Sequence, residues 1–275
     1  MTLATDTDVS LAPPPVQRGW PRTRILGYAL VGFWIAVAIG LVAYLVLVWN
    51  PEFMRKYAPA YLEGLWVTIR LVVISVILGA ILSLPIAYAR MSRNHVLAAL
   101  SYAYVYFFRG TPLLAQTFLI FYGIGSFRPQ LEAIGLWSFF REAWYCAILA
   151  FSLNTAAYQA EILRGAIRSV PRGQWEGAAS LGLHNIQTLW KIVLPQALIV
   201  ALRPYGNEII LMIKGSAIVA LITVPDLMGE TRLAYSRSFD FQAYIWAAII
   251  YFAIVETLRN GIDWIERLIT RHLKR

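Results

Sequence analysis

Along this chain the charged residues are gathered into short stretches between long uncharged ones, and that alternation lays out the architecture. Runs free of Asp, Glu, Lys and Arg cover residues 25–51, 71–89, 110–127, 143–160 and 241–255. As α-helices rising about 1.5 Å per residue, most of these can cross the roughly 30 Å of a bilayer's hydrocarbon core. The last completes its crossing only with the turns that include Glu256. A further apolar stretch between Pro195 and Val224 is interrupted by Arg203, Glu208 and Lys214. On insertion scales a charge at mid-membrane costs about 3 kcal/mol, whereas a large apolar residue returns only about 0.5. That helix therefore turns toward protein or a wet cavity and not toward lipid alone. The pattern predicts an all-α integral membrane protein with about six transmembrane helices, near 27–48, 65–89, 97–122, 143–163, 198–222 and 243–264.

Composition agrees. Hydrophobic residues make up 59% of the chain and charged residues 14%, against about 25% charged in a soluble domain. The basic residues orient the spans. With the N-terminus inside, the cytoplasmic side receives Arg18, Arg22, Arg24, Arg90, Arg93, Arg164, Arg168, Arg172, Lys191, Arg259, Arg267, Arg271, Lys274 and Arg275. The opposite side receives only Arg55, Lys56, Arg128, Arg141, Arg232 and Arg237. This asymmetry places both termini in the cytoplasm. The net charge of +9 is mostly that orientation signal. It is not a nucleic-acid footprint, because no long basic cluster interleaves with stacking aromatics.

Residues 1–24, with Pro13-Pro14-Pro15, are expected to form a disordered cytoplasmic tail. The run at 25–51 is too long for a signal-peptide core and is expected to be a retained helix, so 25–61 makes an extra N-terminal span and external loop. The one cysteine, Cys146, closes disulfide and metal-cluster readings. His95, His184 and His272 stand far apart and are best read as surface residues. Trp34, Trp49, Trp137, Trp144 and Trp264 fall near span ends, where indoles anchor to the membrane interface.

The polar stretch 168–195 is more elaborate than a membrane loop needs. Pro171 suits the start of a helix, in which Trp175, Ala178 and Ala179 recur at helical spacing. Gly182 can supply the left-handed residue that ends it. Asn185 is the expected N-cap of a second short helix with the stripe Ile186, Leu189, Trp190 and Val193, closed by Pro195. Two short helices hinged at a glycine make a compact element that can fill a groove on a partner. An amphipathic hairpin lying on headgroups would share the amphipathicity. The chain carries no motor of its own. None of Lys56, Lys191, Lys214 and Lys274 follows a glycine, so no phosphate-cradling Gly-Lys-Ser/Thr loop exists. No nucleophile elbow or zinc-binding His-Glu-x-x-His is present, and no cofactor is expected.

Glu176-Gly177-Ala178, Gly182, Ile192, Leu194 and Pro195 stand at the spacing of the EAA loop of ABC-importer permeases, with Gly177 replacing the first alanine. This joint match favours the partner-docking element over the headgroup hairpin. Phe108-Arg109-Gly110-Thr111-Pro112-Leu113-Leu114-Ala115-Gln116 resembles a signature of the polar-amino-acid permeases. So do Leu153-Asn154-Thr155-Ala156-Ala157-Tyr158-Gln159-Ala160-Glu161 with Arg164-Gly165, and Ser169-Val170-Pro171-Arg172-Gly173-Gln174. Tyr205 to Met212 and Thr223-Val224-Pro225-Asp226-Leu227 look most like the M-type permease of histidine/lysine/arginine/ornithine and opine importers. Lys214-Gly215-Ser216-Ala217 departs from the usual pattern there. The resemblance runs from about Leu62 to the C-terminus.

It implies a type I, MetI-like permease fold over 62–266, with a coupling loop at 168–195 and a basic tail at 267–275. It also implies a place in the bacterial inner membrane, two ATP-binding cassette subunits, an extracytoplasmic substrate-binding protein and a second, distinct homologous permease. Transport would be by alternating access, of polar and cationic amino acids or opines, without covalent chemistry in this chain. Candidate pathway residues are Glu208, Asn207, Lys214, Arg109, Thr111, Asn154 and Glu161. Of these, Arg109 and Glu161 are expected to form a structural pair, as are Glu161 and Arg164 at i,i+3. Glu208 has no same-face base on its helix, so ligand contact and an ion pair with Arg70 or Arg109 both stand. Gly79, Ala80, Ala156, Ala157, Gly165 and Gly206 are expected where helix backbones approach. An ion-coupled secondary carrier would have no use for the loop. A membrane scaffold would have no need of three charges in one span.

Overall fold

A computed structural model describes residues 22–47 and 50–271. Most of the expected tail, Trp49, and the terminal residues including His272, Lys274 and Arg275 lie outside the described residues. The chain divides into two compact units, Met1–Glu52 and Phe53–Arg275. The first holds α1 (Arg22–Leu47), a 26-residue apolar helix where the first span is expected.

The second unit is helical throughout its regular elements, which begin with α2 (Pro51–Met91). There follow α3 (His95–Gly110), α4 (Leu113–Phe118), a π segment (Leu119–Ile124), and the short α5 (Arg128–Ala133) and α6 (Trp137–Phe140). Next come α7 (Ala143–Ser169), α8 (Arg172–Ser180), α9 (Asn185–Thr188), a second π segment (Leu189–Val193), and α10 (Leu194–Ser216) continued as a 3-10 turn (Ala217–Ile222). The chain then enters α11 (Leu227–Ser238) and α12 (Gln242–Ile269). Among the described residues, four helices are long and apolar enough to cross a membrane: α1, α2, the continuous stretch Asn185–Ile222, and α12.

The other two expected spans depart from a plain apolar helix. The third is broken where an unbroken helix over 97–122 was expected. Thr111 takes the extended conformation (φ −116°, ψ 148°) because the ring of Pro112 excludes the helical region for the residue before it. The fourth, α7, is long enough at 27 residues but carries polar residues along its length. Ser152, Asn154, Thr155 and Gln159 are all buried there against other helices, so the polarity is spent inside the bundle.

Three helices build the core. Leu71 and Val72 of α2, Cys146, Ala147, Ala150 and Phe151 of α7, and Met212 and Ile213 of α10 form one buried cluster. Alanines along α7 keep it thin, and its neighbours approach closely. A Cβ on Gly79 would collide with the Thr155 side chain and stand 3.2 Å from the Ala156 backbone nitrogen. One on Gly206 would meet Ile262 Cδ1 at 2.6 Å. Gly165 and Ala80 do not share this role: a Cβ on Gly165 would meet nothing within 4 Å, and Ala80 is exposed. Position on a helix face, which composition does not reveal, separates the two groups.

A second cluster joins the start of α2 to α11 and α12 through Phe53, Tyr57, Tyr61, Leu227, Ala234 and Ala243. Tyr61 donates its hydroxyl to the Ala243 carbonyl at 2.8 Å. Asp226 caps α11 by accepting from the Gly229 backbone N–H at 2.8 Å. It is fully buried, and burial pushes its carboxyl up to about 6.

Candidate functional site

The segment 168–195 folds into a helix, a tight turn and a second helix. In α8, Trp175 packs onto a cluster of Ala166, Val170, Val193, Ala197 and Ala201, and Ala178 is buried. Ala179 is exposed, so the packed stripe is narrower than the spacing predicts. Glu176 and Gly177 are exposed. At the turn Gly182 has φ +72°, a conformation that costs a Cβ-bearing residue about 1–2 kcal/mol. The Gly182 N–H donates to the Ala179 carbonyl (2.9 Å) and the Leu183 N–H to the Ala178 carbonyl (3.1 Å). This pair of bonds is the Schellman ending of a helix.

Beyond the turn, two expectations are corrected. The N-cap is His184, whose Nδ1 accepts from the Ile186 N–H at 3.4 Å, and Asn185 is the first helical residue. Nor does the second helix close at Pro195. Proline has no N–H and crowds the carbonyl four residues before it, yet the helix widens to a π turn and runs on into α10. The Leu194 N–H reaches back five residues to the Leu189 carbonyl. The predicted stripe also divides. Leu189 and Val193 pack inward, while Ile186 and Trp190 are each 62% exposed and Leu181 is 79% exposed. Leu194 packs with Ala87, Ala160 and Leu163 of α2 and α7, and Ile192 is half-buried.

The candidate pathway residues fall into three groups. Thr111 and Asn154 serve the break in span three. Thr111 Oγ1 donates to the Phe107 carbonyl at 2.8 Å. The Phe108 carbonyl accepts from Gln116 Nε2 at 2.9 Å and from Asn154 Nδ2 at 3.0 Å, and Asn154 also donates to Gln116 Oε1 at 2.9 Å. Carbonyls released by Pro112 find no water in a bilayer, and these side chains satisfy them. Asn207 and Lys214 lie with Arg203 on an exposed stripe of α10, where Arg203 Nε is 2.6 Å from Glu266 Oε2.

The third group is ionic. Glu161 pairs with Arg164 on its own helix and with Arg90 of α2 at 2.9 Å. The expected pair with Arg109 does not form. Arg109 instead stacks over Tyr158, its Cζ 5.1 Å from the ring centroid. Two exchanges on Glu161 satisfy it, and a third guanidinium is surplus. Glu208 is buried and accepts from Thr155 Oγ1 at 3.0 Å. Neither Arg70, which stacks over Trp144 at 5.7 Å, nor Arg109 is in ion-pair contact with it among the described residues. Sequence reasoning missed Gln116, Thr155 and Arg90 as participants. Gln116 and Thr155 lie inside the quoted motifs, so a signal was there. Nothing marks Arg90 as a partner 71 positions from Glu161.

The long apolar helices and all-helical fold are those of a membrane-embedded protein. Residues 75–275 match the family described as binding-protein-dependent transport system inner membrane component, and the chain belongs to it. The nopaline transport system permease protein NocM of Agrobacterium fabrum is 40% identical over 217 residues, covering 78% of this chain and 90% of its own. The arginine ABC transporter permease protein ArtM of Escherichia coli K12 is 38% identical over 214 residues, covering 78% and 96%. Among solved structures, an amino acid ABC transporter crystallised with histidines matches at 34% identity with a TM-score of 0.71, over 79% of this chain and 98% of that one. The MetNI methionine transporter shares the fold at 19% identity and a TM-score of 0.65, over 80% and 99%. This chain is accordingly a permease subunit, a multi-pass inner-membrane protein. It is not an ATPase: hydrolysis belongs to separate ATP-binding subunits, and substrate is delivered by a binding protein.

Proposed function

We propose that this subunit carries polar amino acids or opines, with a cationic group among their substituents, across the inner membrane by alternating access. It works beside a second, distinct permease, two ATP-binding cassette subunits and an extracytoplasmic binding protein, with both of its own termini in the cytoplasm. The observation that carries this reading is the loop. Its inner face is anchored to the bundle by Trp175, Leu189 and Val193, with Ala178 buried as well. Its outer face leaves Glu176, Leu181, Ile186 and Trp190 exposed. An apolar set of that size around a carboxylate suits a groove on an ATP-binding subunit. The names of the relatives support the solute class.

The test is uptake by proteoliposomes holding the whole assembly. Labelled arginine, ornithine or octopine should accumulate only with ATP, the ATP-binding subunits and the binding protein all present. Uptake driven by a proton or sodium gradient without ATP would overturn the reading. Replacing Trp190 by Glu should release the ATP-binding subunits from the purified complex while leaving this chain in the membrane.

A further inference from the structure

The surplus guanidinium points to a site. Resting on the reading of this chain as a solute pathway, we propose that Arg109 receives a carboxylate of the transported solute, in a cleft floored by Gly165, Ala166 and Ala201. Arg109 lies in the last turn of α3, two residues before the break at Thr111–Pro112. The ring of Tyr158 holds the guanidinium by its face, which leaves the N–H edge available for a planar, bidentate acceptor. Among the described residues no carboxylate pairs with it.

The nearest wall explains why. Glu161 lines the same space but is already bonded by Arg90 and Arg164. The guanidiniums of Arg90, Arg109 and Arg164 thus stand against the Glu161 carboxylate, while Glu208 is near enough to feel the Arg109 charge without ion-pair contact, so the group still carries one positive charge in excess. That positive excess opens on two adjoining clefts of about 390 and 280 Å³ that share Arg109 and Glu161. A cation held within a span and left unpaired is costly, and an anion is the partner it lacks.

The larger cleft also has room. It is lined by Arg109, Tyr158, Glu161, Gly165, Ala166 and Ala201, among others. Gly165 is not small for the sake of packing, since a Cβ there would meet no atom within 4 Å. Its missing side chain keeps the cleft open instead. The volume lies in the range of sites that hold small solutes. The same charge excess repels a second cation, so a solute that carries both signs enters this cleft carboxylate first. Its ammonium or guanidinium then points away from Arg109.

The test uses this chain purified with its partner permease and ATP-binding subunits, without the binding protein, whose own selectivity would mask the effect. Binding of L-arginine and octopine, which bear carboxylates, is compared with that of L-argininamide, whose carboxylate is masked. Arg109→Gln should weaken the two acids at least tenfold and change the amide less than twofold. Arg109→Lys should recover part of the loss. Gly165→Leu, which adds bulk into open space without touching the charges, should weaken all three. Equal loss for acid and amide, or no loss for either acid, overturns the proposal. So does departure of the second permease from the Arg109→Gln complex, which would assign the guanidinium to a carboxylate of that subunit. A wild-type complex that binds none of the three also overturns it. If that complex still takes up solute with binding protein and ATP, the transport reading stands without this site.

Discussion

Asp226 shows how a single side chain can cost and stabilise at once. It caps α11, yet burial raises its carboxyl from 3.8 to about 6. With the folded value above the unfolded one, the folded state binds more protons between pH 4 and 6. The contribution of this group is therefore greatest below pH 4, falls as pH rises through 6, and is flat above. Asp226→Asn keeps a capping oxygen and removes the charge. It should raise the melting temperature in detergent at pH 8 and flatten the melting curve's dependence on pH between 4 and 6. Asp226→Ala loses the cap and should destabilise by about 1 kcal/mol. Glycines give a matching contrast. A Cβ on Gly64 would stand 2.8 Å from the Asp226 backbone carbonyl, whereas one on Gly206 would meet side-chain atoms alone, Cδ1 and Cγ2 of Ile262 at 2.6 and 2.8 Å. Overpacking costs about 1–3 kcal/mol, and a backbone cannot step aside as a side chain can. Gly64→Ala should cut membrane abundance several-fold, and Gly206→Ala much less, by quantitative immunoblot.

At the scale of elements, the break in span three and the turn in the loop are the two departures from regular helix that mutation can probe. Asn154→Leu withdraws one donor from the Phe108 carbonyl and one from Gln116 Oε1. An unmet buried polar group costs about 1–3 kcal/mol, so the variant should show reduced abundance whatever solute is offered. Gly182→Val forces a β-branched residue to φ +72°. It should remain in the membrane at near-normal levels, because nothing packs against the position, while uptake and its coupling to ATP hydrolysis are lost. Unchanged transport and stimulation in proteoliposomes would contradict that. The loop's outline was legible beforehand because glycine and amphipathic spacing are local signals. The π turn before Pro195 was not, since periodicity places a proline at an end and says nothing of a hydrogen bond shifted to i−5. Nor was the partner of Arg109: periodicity assigns faces, and which faces meet is decided by packing across the bundle.

For the whole molecule, the charge asymmetry predicts a topology that reporter fusions can check. A reporter active only outside the membrane should signal from Gly135 and stay silent from Gly182 and Arg271. Signals from Gly182 would invert the scheme. Helices occupy the regions marked by the uncharged runs and the interrupted fifth stretch, and four of those among the described residues are long and apolar enough to cross a membrane. Thr111–Pro112 and the buried polar residues of α7 show why hydrophobicity alone marks only four helices among the described residues. A membrane helix can be broken or polar when neighbours satisfy it, and that information is distributed among Gln116, Asn154 and Phe108 instead of residing in any one run.

The uninterrupted passage through Pro195 has a mechanical corollary. From Asn185 to Ile222 the backbone is a single 38-residue strut, about 55 Å at helical rise. Its one articulated end is the turn at Gly182. A strut hinged at one end does not absorb a load; it relays it. Displacement imposed on Trp190 from the aqueous side would travel toward Glu208 and Lys214 along one helix, whose two departures from regular i−4 bonding, the π turn before Pro195 and the turn before Pro204, are where it could bend.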